Sequence, residues 1–193
     1  TLLGGIAHDG KALYLAFVAT DDTPHFDAQT SAELWRFDSI ELWLEEEQFG
    51  LGFLKDGTPA LHKWRQHNRE GKDWAAGYAL ARENVWGAKL ADLGAHPLGR
   101  RLAAITGVPF GGKPGYAFMA RISFEEIKLV GGIAGRKGGE ILPLAGAGGE
   151  LVRIAVALNC LSAFGRCQDY QIDWPVGKMF ADPTRSCPFV LGK

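Results

Sequence analysis

Residues 38–45, DSIELWLE, alternate in character at every position and indicate the fold class of the chain. An extended chain points successive side chains to opposite faces, so a period of two residues predicts a β-strand. The two predicted faces are Ile40, Leu42 and Leu44 on one side, and Ser39, Glu41 and Trp43 on the other. We expect the first face to be buried and the second to be half exposed.

Further short strands are predicted on both sides of this one. Residues 12–19 form an apolar run between Asp9-Gly10 and the turn DDTP at residues 21–24, which predicts a well-buried strand. Similar patterns occur at residues 49–54, 74–81, 116–122 and 151–159. In the last of these, one predicted face is Val152, Ile154, Val156 and Leu158, and the other is Arg153, Ala155, Ala157 and Asn159.

Helical signals are few and short. Ser123 followed by Glu126 is a capping box, which predicts a short helix that ends at about Leu129. Residues 28–34 have little room before the next strand, so we interpret them as a loop that carries Trp35. The excess of strands favours an all-β fold, a jelly-roll-like sandwich of two antiparallel sheets, formed by a single domain over residues 1–193.

The composition limits the classes of partner. Hydrophobic residues make up 47% and charged residues 22% of the chain, as in folded globular proteins. A formal net charge of -1 gives no overall attraction to nucleic acid. The apolar runs are also much shorter than the roughly 20 residues that span a bilayer. We therefore expect neither a nucleic-acid partner nor a membrane span.

The cysteines leave two possibilities open. Cys160, Cys167 and Cys187 match no standard zinc spacing. Cys160 and Cys167 could form a disulfide across a short loop in an oxidising compartment, and all three could equally be buried thiols. The sequence starts at Thr1 without Met or a signal-peptide pattern, so we expect a mature or excised segment.

The sequence carries no pattern typical of a catalytic site. It has no nucleophile elbow, no metalloprotease histidine pair and no Cys/His couple with an orienting acid. Glu125 and Glu126 are better explained by helix capping than by glycoside hydrolysis. The basic run HKWRQHNR at residues 62–69 could contact a polyanion, but a solvated hairpin near the acidic residues 45–47 is the simpler interpretation. We expect a domain that is not an enzyme.

Four stretches, in order along the chain, resemble the landmarks of the family 9 carbohydrate-binding modules and the related DOMON-like sugar- and haem-binding domains. They are DGKALYL (9–15) with DDTP (21–24), WRFDSIEL (35–42), residues 115–124, and FADPT (180–184) with FVL (189–191). The resemblance extends over roughly residues 9–191. It implies a β-sandwich that binds a polysaccharide or oligosaccharide without transforming it.

The resemblance also implies a binding site. Sugar-binding members hold the end of a glycan between two Trp side chains, and those positions correspond to Trp35 and Phe180. Glu41 and Asn159 correspond to a carboxylate and an amide that bind sugar hydroxyls. Pyranose rings present C–H groups to an aromatic face, and their hydroxyls need polar partners.

Other interpretations of these residues stay open at this stage. Trp35 and Phe180 could be ordinary core or loop aromatics, Glu41 a solvated strand residue, and Asn159 a turn residue. The sequence also departs from the family, because a basic residue and a Gln that hold sugar hydroxyls are replaced near Gly50 and at Ala157. The family's early N-terminal segment is largely missing, so an edge strand is expected to be absent or supplied differently.

Cofactor and location follow from the same resemblance. Structural calcium is common in the family, and Asp21, Asp22 and Asp27 offer hard oxygen ligands for it. An extracellular or periplasmic location is expected, with the domain attached to an enzyme or a larger polypeptide.

Two alternative functions remain at this stage. One is a haem b electron-transfer domain of the same fold with Met and Lys ligands, for which Met119, Met179 and Lys178 are the candidates. The other is an accessory or interaction domain that has lost its ligand site.

Overall fold

The computed structural model describes residues 2–44, 47–64, 77–93, 96–97, 100, 103–104, 113–127, 150–160, 170–174 and 187–191. At residues 150–153, 160, 170–174 and 187–191 it describes the backbone. None of the helices in the described ranges has the length and apolar character needed to cross a membrane.

The described elements are mainly strands. In chain order they are β1 (Leu2–His8), β2 (Ala12–Thr20), a 3-10 helix (Ser31–Arg36), β3 (Ser39–Leu44), β4 (Glu47–Phe53), β5 (Pro59–Trp64), β6 (Tyr78–Ala79), a 3-10 turn (Arg82–Asn84), β7 (Val85–Lys89), α1 (Leu90–Leu93), β8 (Gly115–Ser123), β9 (Glu150–Cys160), β10 (Tyr170–Trp174) and β11 (Cys187–Leu191). The strands pair antiparallel throughout.

The strands form two sheets. The small sheet has the order β1-β2-β8-β7. The large sheet has the order β10-β9-β3-β4-β5-β6, and β11 pairs with the first part of β9. The apolar faces of the two sheets enclose the main core, as expected for sheet-on-sheet packing. Its largest fully buried members are Leu13, Leu15, Ile40, Leu42, Leu44, Phe49, Leu51, Leu61, Tyr116 and Phe118.

The all-β antiparallel sandwich predicted from the sequence is confirmed. The predicted strand faces also hold, because Ile154, Val156 and Leu158 enter the core while Ala155 and Ala157 lie on the opposite face of β9. The sequence left open whether the small sheet has an edge strand at the start of the chain. Residues 2–8 form such a strand, β1, which pairs with β2.

The prediction that β3 is half exposed is wrong. All six residues of β3 are buried, and Glu41 is 3% and Trp43 1% exposed. The strand lies between β4 and β9, so both of its edges are paired. On its outer face, Trp43 packs against Ala155 and Ala157, and Glu41 is enclosed by hydrogen-bonding side chains. Alternation alone cannot distinguish a solvated outer face from a covered one.

Two local predictions also need correction. The segment interpreted as a loop carrying Trp35 ends in the 3-10 helix Ser31–Arg36, whose first turn is capped by Glu33. After β8, residues 124–127 form a hydrogen-bonded turn rather than a helix; Leu129 lies outside the described residues. Ser123 does accept a hydrogen bond from the Glu126 amide at 3.2 Å, as a cap should. The Glu126 carboxylate, however, binds Lys63 and Tyr78 instead of closing a capping box.

The start of the basic run is not solvated. His62, Lys63 and Trp64 are 3%, 6% and 4% exposed, because they belong to β5, which pairs with β4 and β6. The solvated-hairpin interpretation is therefore wrong for these three residues, and residues 65–69 lie outside the described ranges. The expected neutralisation by the acidic run is present, since Lys63 Nζ lies 3.5 Å from a carboxylate oxygen of Glu47.

Candidate functional site

The structure brings Glu41 and Asn159 together on the outer face of the large sheet. β3 pairs with β9 in a register that sets Ser39 opposite Asn159 and Glu41 opposite Ala157. Asn159 is therefore the diagonal neighbour of Glu41, a separation that long polar side chains can bridge. Both predicted site residues lie on the face opposite the apolar core, as the alternation indicated.

Four side chains form a polar cluster at this place: Ser39, Glu41, Gln48 and Asn159. Asn159 Nδ2 donates to Glu41 Oε1 at 2.7 Å and lies 3.2 Å from Ser39 Oγ. Gln48 Nε2 donates to Glu41 Oε2 at 2.7 Å. Each carboxylate oxygen thus accepts a short hydrogen bond, which compensates for burying the charge. With Asn159 fully buried and Glu41 at 3% exposure, the cluster is well enclosed.

The two positions at which the sequence departs from the family pattern, Gly50 and Ala157, lie beside Glu41. Gly50 and Ala157 are its direct partners on β4 and β9, so the two replaced positions flank the carboxylate. The ring of Trp64 lies over Gly50, where an added Cβ would come within 2.2 Å of its Cη2 atom. An aromatic ring therefore occupies the space above Gly50.

Trp35 projects from the 3-10 helix next to this face. The helix packs on the sheet through Leu34, which is 1% exposed and lies close over Gly52. Because Leu34 faces the sheet, the following residue faces outward, and Trp35 is 41% exposed. Trp35 is thus a surface aromatic on a fixed element and not a core residue.

Two contacts from β5 hold the helix in place. Trp64 Nε1 donates to the carbonyl of Ala32 at 3.2 Å, and Ser31 Oγ lies 2.9 Å from His62 Nδ1. Burial lowers the pKa of His62 to about 4, because a charged imidazole is poorly solvated there. His62 is therefore neutral at pH 7, and the helix that carries Trp35 is attached by a neutral hydrogen bond.

Asp38, at the start of the Asp-Ser-Ile-Glu motif, has a structural role. Its carboxylate accepts a hydrogen bond from the His25 amide, and its own amide donates to the His25 carbonyl at 3.2 Å. This pair of bonds joins the loop after β2 to the entrance of β3. Asp38 is 1% exposed, so its carboxylate is not available on the surface.

Solved structures share this arrangement of sheets. A protein of Bacteroides uniformis ATCC 8492, provisionally described as carbohydrate-binding, aligns with 98% of this chain and 78% of its own at 10% identity and a TM-score of 0.55. A family 9 carbohydrate-binding module of Caldicellulosiruptor kristjanssonii in complex with glucose aligns with 100% of this chain and 78% of its own, at 15% identity and a TM-score of 0.50. The chain has a family 9 carbohydrate-binding-module fold. No protein-family model and no curated protein matches the sequence.

The three carboxylates predicted to bind calcium, those of Asp21, Asp22 and Asp27, do not form a cluster of metal ligands. Asp27 forms an exposed ion pair with Lys55 at 3.6 Å, and Asp21 accepts a hydrogen bond from the Thr23 amide at 3.0 Å. Within the described ranges, which include Asp21, Asp22 and Asp27, no group of three or more His, Cys, Asp or Glu side chains could hold a metal ion. These three residues do not form a calcium site by themselves, and calcium binding stays a prediction that needs oxygen ligands from elsewhere.

The other predicted residues are only partly described. Phe180, Met179 and Lys178 lie outside the described residues, as does Cys167. Met119 lies on the outer face of the small sheet, between Ala16 and Trp86. The haem alternative therefore stays an untested prediction.

The positions of Cys160 and Cys187 exclude a disulfide between these two residues. Cys160 ends β9, and Cys187 begins β11 opposite Ile154. Six residues along a strand separate Cys160 from Ile154, about 20 Å, so Cys160 and Cys187 are too far apart for a disulfide. The Cys160–Cys167 bridge stays a prediction.

Sequence reasoning missed Gln48 and the role of His62. Gln48 lies opposite Trp43 and diagonal to Glu41, because residues 44 and 47 pair at the β3–β4 connection. A hairpin register counted outward from the acidic run would have placed it there. No sequence signal indicated the Ser31–His62 contact, since 31 residues separate its partners.

Proposed function

We propose that this domain is a non-catalytic carbohydrate-binding module that holds the end of a glycan between Trp35 and Phe180. Glu41 and Asn159 bind the sugar hydroxyls in this proposal. The observation that carries it is the Glu41–Asn159 pair, in which a carboxylate and an amide meet at 2.7 Å on two neighbouring strands. The module fold of the chain supports the same class of function.

The chemistry of the residues fits a sugar. An indole face packs well against the C–H groups of a pyranose, and the Trp35 residue is 41% exposed. Asn159 and Gln48 each donate a hydrogen bond to one oxygen of Glu41, and a sugar hydroxyl can donate the same kind of bond to a carboxylate.

The burial of the polar cluster has a kinetic consequence. Since Glu41 is only 3% exposed, a sugar reaches it after the groups around it move. Binding that requires such a change has an association rate below the usual range of about 10⁵–10⁷ M⁻¹s⁻¹. Stopped-flow tryptophan fluorescence measures this rate directly.

The proposed glycan ligand also suggests a cellular location for the domain. We propose an extracellular or periplasmic location, where a domain would meet the polysaccharides of cell walls and surfaces. The domain would then attach an enzyme or a larger polypeptide to its polysaccharide.

The test is calorimetric titration of the full chain, with and without calcium. Glucose is the first probe, because it is the ligand in the complex of the Caldicellulosiruptor module; cello- and xylo-oligosaccharides follow. We expect Trp35→Ala to weaken binding at least about tenfold, or 1.4 kcal/mol, and Trp35→Phe to retain part of it. Leu3→Ala is the control, since Leu3 is an apolar side chain with a similar exposure of 40%.

Equal binding by the parent chain and Trp35→Ala would reject the proposed site. No binding to any soluble or insoluble glycan would reject the function and favour an accessory domain. Circular dichroism of each variant shows that the fold is intact, so a loss of affinity can be assigned to the missing ring.

A further inference from the structure

The small sheet carries a groove on its outer face, on the opposite side of the sandwich from the polar cluster. The groove has a volume of about 410 Å³, within the range of about 300–1,000 Å³ typical of small-ligand sites. Its floor follows one line across the sheet, in which Gly5, Ala16, Met119 and Trp86 are successive cross-strand partners. The next line adds Tyr14 and Arg121.

The floor is open at its β1–β2 end because Gly5 and Ala16 are small. A Cβ atom added at Gly5 would meet nothing within 4 Å, although Gly5 lies in the middle of β1. Its neighbour Ala16 contributes a single methyl group, so the sheet surface is low at Gly5 and Ala16. A low apolar floor with aromatic side chains in its lining suits a ring with C–H faces.

Both aromatic side chains are held in position. Tyr14 is 40% exposed, and its hydroxyl donates to Asp9 Oδ2 at 2.7 Å. The hydrogen bonds from Tyr14 and from the amides of Lys11 and Ala12 lower the pKa of Asp9 to about 2, so this anchor stays ionised. The ring of Trp86 lies 6.0 Å from that of His96 and packs against the apolar cluster around α1. Rings that are already ordered lose little entropy when a ligand binds.

The charged groups of the groove are Arg121 and Glu83, and the guanidinium of Arg121 also attracts the Asp9 carboxylate. Within the described part of the chain, neither the guanidinium of Arg121 nor the carboxylate of Glu83 makes a hydrogen bond or an ion pair, and both side chains are exposed in the groove lining. One offers donors and the other offers acceptors, with opposite charges. A neutral ligand that carries both donors and acceptors complements this pair, and sugar hydroxyls are such groups.

We propose that this groove is a second carbohydrate site, which holds a short neutral saccharide against Tyr14 and Trp86 while Arg121 and Glu83 bind its hydroxyls. The site is independent of Trp35 and would give the domain two attachment points. Two weak sites on opposite faces increase the avidity for a polymer when both can bind at once.

The test isolates the groove by titrating Trp35→Ala with cellohexaose, xylohexaose and mannohexaose, followed by amide chemical shifts. We expect saturable shifts at Gly5, Ala16 and Met119 for at least one of the three probes. Gly5→Leu fills the groove without a backbone clash, and we expect it to weaken this binding at least about tenfold. Gly5→Ala is the matched control, expected to stay within about twofold.

The outcomes separate the two sites. Binding that is lost in Gly5→Leu and kept in Trp35→Ala supports the groove, even if the site near Glu41 binds nothing. Binding that depends on Trp35 alone, with no shifts at Gly5, Ala16 or Met119, overturns the second site and leaves the first. A change of oligomeric state in Gly5→Leu without any saccharide effect also overturns it, because the groove would then be a contact between copies of the chain.

Discussion

The indole of Trp64 lies over Gly50, so that a Cβ atom added at Gly50 would come within 2.2 Å of Trp64 Cη2. Trp64 is 4% exposed and hydrogen bonded to the carbonyl of Ala32, which restricts its movement. We expect Gly50→Ala to lower the free energy of unfolding by about 1–3 kcal/mol, as overpacking does in other cores. Urea denaturation measures the change. Gly5→Ala is the control, because its added methyl meets nothing within 4 Å.

The same contact limits the size of any side chain placed at position 50. A long side chain fits beside Glu41 only if Trp64 is made smaller. An unchanged denaturation midpoint for Gly50→Ala would contradict this picture, since it would mean that Trp64 moves aside at no cost.

The hydrogen bond between Asn159 and Glu41 predicts that substitutions of these two residues have non-additive effects on stability. Removing Asn159 leaves the buried carboxylate of Glu41 with one short hydrogen bond fewer, and we expect Asn159→Ala to cost about 1.5–3 kcal/mol. After Glu41→Ala, the same change should cost less by about 1–3 kcal/mol, because the partner is already gone. A double-mutant cycle in urea gives this coupling energy. Additive effects would mean that the bond does not contribute to stability.

The strands could be predicted from the sequence because apolar and polar residues alternate along each of them. Alternation in β3 and β9 correctly separated the core face from the outer face, and ordered motifs led to the right fold. Alternation could not show what covers the outer face, so Glu41 and Trp43 were expected to be half exposed, whereas they are 3% and 1% exposed. Burial there depends on neighbouring strands and not on the strand itself.

The part of the candidate site that lies on the paired strands β3 and β9 could be predicted from the sequence. Glu41 and Asn159 were placed on the same face from sequence, and the structure joins them at 2.7 Å. The helix carrying Trp35 was not predicted, because it is held by Leu34 over Gly52 and by Ser31 beside His62. Such long-range contacts leave no periodic signal.

An ionic cluster joins β5 to the turn after β8, and its Lys63–Glu47 pair is buried. Lys63 Nζ lies 3.5 Å from Glu47 Oε2 and 3.2 Å from Glu126 Oε2, and Tyr78 also binds Glu126. We expect Lys63→Met to lower the free energy of unfolding by about 3–5 kcal/mol, because it removes the ammonium group beside the buried carboxylate of Glu47. Thermal and urea unfolding measure the loss.

An exposed pair provides the comparison for Lys63. Lys55 and Asp27 lie 3.6 Å apart with side chains 61% and 58% exposed, so Lys55→Met should change stability by less than about 1 kcal/mol. Equal effects of the two Lys→Met changes would contradict the assignment of the larger energy to burial.

His62 predicts a loss of stability in mild acid. Burial lowers its pKa from 6.5 to about 4 in the folded chain, so between these values the unfolded chain binds the proton more readily. The free energy of unfolding therefore falls as the pH decreases from about 6.5 to about 4, by about 1–3 kcal/mol from this residue, and its contribution is constant below that window. Urea denaturation at a series of pH values, for the parent chain and His62→Gln, measures it as the difference between the two curves. Parallel curves for His62→Gln and the parent would show that His62 is protonated equally well in both states, and the neutral contact with Ser31 would then be wrong.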